Sequence, residues 1–127
     1  MPHRTALLVA CALVLAACTA APNRIHEGRT ARFQVRLQLD AETTSAQAAQ
    51  IEIRNRSGDP VDAATVLLAP MMTDMGHTQT VLTAARAAPG RYAVAGTLFT
   101  MRGDWQVVVV VRADGAPESV QFPVVVR

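Results

Sequence analysis

Apart from Met1, every methionine of this 127-residue chain falls in two short stretches: Met71, Met72 and Met75 in "APMMTDMGHT", and Met101 in "FTMRGDW". The first stretch also holds His77, one of the three histidines. Thioether sulfur is a neutral, polarizable donor that suits Cu(I), and imidazole adds a stronger donor. Outside the cytoplasm thiols tend to be oxidised to disulfides, which a thioether cannot form. A Met/His set therefore holds a soft cation where a Cys set would be vulnerable. On an extended strand Met72 and Met75 face opposite ways, so their convergence requires a turn, and Thr73, Asp74 and Gly76 suit one. The competing use of these residues is mechanical, because flexible methionine is a good filler for the end of a core.

The first residues indicate the compartment. "MPHRTALLVACALVLAA" has a short basic start with Arg4 and an apolar run over residues 6–17. That run is too short to cross a hydrocarbon layer of about 30 Å comfortably, and its layout is that of a secretory signal. It closes on Leu15, Ala16, Ala17 and Cys18, which resembles the lipobox of bacterial lipoproteins. The expectation is a signal peptide over residues 1–17 and acylation of Cys18, giving a periplasmic protein held at a membrane. Thr19 is not the aspartate that typically retains such proteins at the inner membrane, which favours the outer one. Cys11 then leaves with the signal and Cys18 carries lipid, so the mature domain has no free thiol and no disulfide.

Composition narrows the function classes. The formal net charge is +2, and removing the signal with its Arg4 leaves 11 Arg against 10 acidic residues. Such a balance favours no nucleic-acid partner. A catalytic reading finds little to stand on. There is no mature cysteine nucleophile, no Gly-x-Ser-x-Gly and no Gly-rich phosphate loop, and Asp74 beside His77 has no serine placed as a partner. The chain reads as a binding protein, not an enzyme.

The elements that must position the methionines read as strands. "RFQVRLQLD" alternates, with Phe33, Val35, Leu37 and Leu39 on one face and Arg32, Gln34, Arg36 and Gln38 on the other, the mark of a half-buried strand. "IEIRN" repeats the pattern with Ile51 and Ile53 inward. "VDAATVLLAP" predicts a strand ending at Pro70, "TQTVLTAA" another after the methionine loop, and "RYAVAGTLFT" one with Tyr92, Val94 and Leu98 on one face. "WQVVVVVR" is apolar on both faces, as a central strand would be, and "SVQFPVVV" completes the set. Residues 102–104 are expected to form a hairpin turn between strands. About seven short strands with no convincing helix predict an all-β, immunoglobulin-like antiparallel sandwich over residues 30–127. Residues 18–29, including His26, read as a flexible tether between lipid and domain. In "APGRYAV" the Pro-Gly turn before Tyr92 resembles a tyrosine corner, and Trp105 is expected in the core.

Pro70, then Met72-x-x-Met75-Gly76-His77, then Gly90-x-Tyr92, then Phe99-x-Met101-x-Gly103-x-Trp105-x-Val107 together resemble the YtkA-like domain family, related to FixH-type proteins. The resemblance covers roughly residues 30–127 and is strongest after Pro70. It implies a small exported β-sandwich associated with copper handling and cytochrome oxidase maturation. It further implies Met72, Met75, His77 and Met101 as copper ligands, with Met71 as a substitute sulfur. The function so implied is a lipid-anchored Cu(I) chaperone or buffer, whose partners are the membrane and a copper-receiving or respiratory-complex protein. The alternative is a metal-free interaction domain that assists assembly of a membrane complex. Members often carry Pro or Gly between the two methionines, where Thr73 and Asp74 stand here.

The lipobox reading has a direct test. Cys18→Ser should abolish acylation and leave an uncleaved precursor. Intact-mass analysis of the membrane fraction reads both effects, and a wild-type protein without acyl mass contradicts the reading.

Overall fold

The computed structural model describes residues 24–40, 42–44, 47–62, 64–75 and 80–127. The proposed signal of residues 1–17, Cys18 with residues 19–23 of the proposed tether, and His77 lie outside the described residues. Eight strands follow one another: β1 (Arg24–Arg29), β2 (Phe33–Leu39), β3 (Gln47–Asn55), β4 (Thr65–Met72), β5 (Leu82–Ala88), β6 (Arg91–Gly96), β7 (Gly103–Arg112) and β8 (Glu118–Val126). All pair antiparallel, in the order β1-β2-β3-β6-β5-β4-β7-β8, and no helix occurs among the described residues.

The sheet folds on itself at β5. Its first half pairs with β4, Leu82 opposite Leu68 and Ala84 opposite Val66. Its second half pairs with β6, with a register shift between Arg86 and Ala88. A strand that changes partners midway turns one long sheet into two facing layers, β1-β2-β3-β6 over β4-β7-β8, the geometry of an immunoglobulin-like sandwich. The free edges then approach one another. A Cβ on Gly28 of β1 would lie 2.6 Å from Val120 of β8, and the rings of His26 and Phe122 are 6.0 Å apart. The molecule is nearly a closed barrel, which shields edge strands from other chains.

The inward rows follow the period of two. Val35, Leu37 and Leu39 of β2 face Ile51 and Ile53 of β3 within the first layer, and Val66, Leu68, Val107, Val109 and Val111 line the second. Tyr92 is buried, and its hydroxyl donates to the Val61 carbonyl at 2.7 Å and accepts from the Ala64 N–H at 3.4 Å. That is the expected tyrosine corner, and it pins the connection into β4.

Four readings of the sequence change. Residues 24–29 are not tether: they form β1, with Arg24 opposite Leu39 and Arg29 opposite Gln34. Their inward positions hold His26 and Gly28, so backbone pairing makes this strand, not an apolar row. Gln47 to Asn55 form one strand, which begins four residues before the "IEIRN" segment that alternation marks as strand. β4 passes through Pro70 to Met72, with Pro70 opposite Val107. β5 leaves β4 after Leu68, so beyond that point β4 is an edge on one side, where a missing N–H is tolerated. Finally, the connection between β6 and β7 is not a hairpin, because the two strands belong to different layers. β7 does lie between β4 and β8, but with its Val108 and Val110 face only half buried.

Trp105, 1% exposed, sits where β7 enters the core. Trp105→Ala should lower stability by about 3 to 5 kcal/mol, a large part of the ~5 to 15 kcal/mol of a typical domain. A chemical denaturation midpoint checks this, and an unchanged midpoint contradicts it.

Candidate functional site

Strand direction places the methionines. β4 ends, and β7 begins, at one pole of the sandwich, where Met72 pairs with Trp105 and Met71 with Gln106. The ladder continues one step further, as the Thr73 N–H donates to the Asp104 carbonyl at 3.1 Å. The chain turns at once, over residues 73–75. Met72 continues the inward row of Val66, Leu68 and Pro70, whereas Met71 falls in the alternate row with Leu67 and Ala69. The two sulfurs thus leave opposite faces of β4.

Met101 reaches the same pole from the connection over residues 97–102, whose backbone is fixed from three sides. The Leu98 N–H donates to the side-chain carbonyl of buried Gln47 at 3.2 Å, and the Gln47 amide donates in turn to the Thr43 carbonyl. Leu98 and Phe99 are fully buried, and Phe99 packs edge-to-face on Trp105 with centroids 5.4 Å apart. The Trp105 indole N–H then donates to the Met101 carbonyl at 3.1 Å. With its backbone clamped, Met101 presents its side chain outward, 43% exposed, and Met75 is 50% exposed.

Gly103 sits between the two stretches. Its φ is +137°, and a Cβ there would come 2.9 Å from the Met72 methyl carbon. The Met72 thioether therefore lies against the backbone two residues after Met101. The structure brings Met72 and Met101 to one pole and turns the chain toward Met75, while His77 lies outside the described residues. Among the described residues, no group of three or more His, Cys, Asp or Glu side chains is placed to share a metal ion. What Met72, Met75 and Met101 bring to this pole is neutral thioether sulfur, on side chains that are half-buried in Met72 and exposed in Met75 and Met101.

A polar cluster at this pole escaped the sequence reading. Glu42, buried in the link between β2 and β3, receives Arg24 at 3.0 Å on one oxygen and meets His26 Nε2 at 3.0 Å on the other. It locks the start of β1 against the pole. The only signal for it lies in the pairing of β1 with β2, which local sequence does not carry.

Gly103→Ala should cost about 1 to 3 kcal/mol, because alanine is strained at that φ, and the added methyl should displace the Met72 thioether. A denaturation midpoint equal to wild type contradicts this packing.

A sequence profile described as YtkA-like matches residues 28–110, nearly two thirds of the chain. No curated protein matches at a significant level. The chain belongs to the YtkA-like family.

Proposed function

We propose that this YtkA-like protein is a lipid-anchored periplasmic copper-binding protein that carries or buffers Cu(I). Copper is the cargo, taken up and released without chemical change to the protein. The observation that carries the reading is the packing of the Met72 thioether against Gly103, two residues after Met101, on backbone held by Trp105. Met72, Met75, His77 and Met101 form the proposed donor set, three soft thioethers and one imidazole, which fits Cu(I) better than Zn(II). Met75 and Met101 are exposed enough to meet an incoming ion, and the rigid turn under Met101 keeps its sulfur at the pole before the ion arrives. Met71, on the other face of β4, is the poorer donor. Acylated Cys18 and the signal of residues 1–17 place the cargo outside the cytoplasm, where thioethers resist the oxidation that removes thiols.

A second reading, an interaction domain that assists assembly of a membrane complex, is favoured by the apolar side chains exposed at this same pole. The two part on metal affinity. Anaerobic competition with a Cu(I) chelator should show one equivalent bound, weakened at least tenfold in Met75→Leu, Met101→Leu and His77→Ala. Binding should also weaken below the ordinary imidazole pKa of about 6.5, because protonation takes the ring nitrogen's lone pair, with a residual acid-resistant affinity from the thioethers. Equal affinity in all three variants removes the copper site and leaves the interaction domain.

A further inference from the structure

Resting on the proposed acylation of Cys18, we infer that the methionine-bearing pole docks on the surface of the phospholipid bilayer, so that the cargo is exchanged at the membrane face. Two independent observations lead there. The first is the distribution of exposed apolar side chains. Ile25, Met75, Val81, Met101 and Val125 are the large hydrophobic residues left 43% to 51% exposed among the described residues. Every one lies at or beside this pole. Ile25 is the second residue of β1, Val125 pairs with Asp104 near the start of β7, Val81 immediately precedes β5, and Met75 and Met101 occupy the two connections. Ile25, Val125 and Pro123 line one shallow depression, beside the paired Arg24, His26 and Glu42 and the terminal Arg127. The opposite pole is closed by polar contacts: Arg32 binds Glu118 and the carbonyls of Asp114 and Ala116.

The second observation is reach. β1 starts at this pole with Arg24, six residues after Cys18, a stretch that extends at most about 20 Å. The ten residues of β7 make the sandwich about 33 Å long at the usual strand rise. The anchor is too short to swing the domain over and present its far pole. The apolar pole is held beside the bilayer, where apolar side chains enter the boundary between headgroups and acyl chains.

Charge is not the main attraction. Arg24, Arg102 and Arg127 are exposed at this pole, but so are Asp40, Asp74 and Asp104. Docking should therefore occur on zwitterionic phospholipid and depend on apolar contact.

The mature protein is free of reactive thiols once Cys18 is acylated, so single cysteines can carry an environment-sensitive fluorophore. Full-length acylated protein would be placed in zwitterionic vesicles containing nitroxide-labelled lipid, with probes at Val81→Cys and Val125→Cys on one pole and Ser57→Cys and Ala116→Cys on the other. The expected result is severalfold stronger quenching at positions 81 and 125. In an Ile25→Asp, Val125→Asp background, quenching at 81 should fall to the level of positions 57 and 116, because the apolar burial that favours docking is lost at both side chains. Acyl mass present with equal quenching at both poles overturns the docking alone. Absence of both acyl mass and quenching overturns the anchor and the docking together. Pole-specific quenching in native membranes but none in pure lipid vesicles overturns the bilayer as occupant and points to a membrane protein.

Discussion

The indole of Trp105 is the contact on which the rest of this structure turns. Its ring fills the core where β7 begins, stacks on the edge of Phe99, and spends its one hydrogen bond on the Met101 carbonyl. Its backbone faces Met72 on one side and Val124 on the other. Core, ladder and methionine pole thus meet in one residue. A buried indole N–H without a partner is costly, so burying the ring also enforces the turn that presents Met101.

The two poles are closed by different chemistry. At the far pole Arg32 spends its guanidinium on Glu118 and two carbonyls of the link between β7 and β8. At the near pole Glu42 gathers Arg24 and His26 from β1. Both clamps tie the first strands to the rest of the chain. The solvent face of the first layer is tied by charge as well: Glu52 accepts from Arg54, and that hydrogen bond, with the positive charges of Arg54, Arg91 and Arg36, holds its carboxyl below the usual range against the opposing effect of burial.

How much of this was legible follows from where each residue's partners lie. β2 and β3 announced themselves because Phe33, Val35, Leu37, Ile51 and Ile53 alternate with charged or amide side chains, and alternation is a local property. The tyrosine corner was legible for the same reason, since Pro89, Gly90 and Tyr92 fall within four residues. β1 was not, because its inward positions are His26 and Gly28 while Ile25 points outward, the reverse of an apolar row. Pro70 looked like a stop because its tolerance depends on β5 leaving β4 two residues earlier. The methionines could be nominated from their types, but the approach of Met72 to Gly103 depends on the register of β4 against β7, which no spacing within "APMMTDMGHT" encodes.

The antiparallel ladder between β1 and β2 has a mechanical consequence. Inter-strand hydrogen bonds run across the strands, and β1 begins at the pole with Arg24 opposite Leu39, so a pull on Arg24 along the strand axis would act at right angles to them. Tension from that side does not peel the ladder open one bond at a time. It loads the six register pairs from Arg24 and Leu39 to Arg29 and Gln34 together, in shear, the direction in which a sheet resists best. With the proposed anchor in place, the weakly patterned first strand would serve as a strain relief, spreading a drag on its first residue along the edge of the sandwich before it reaches the core.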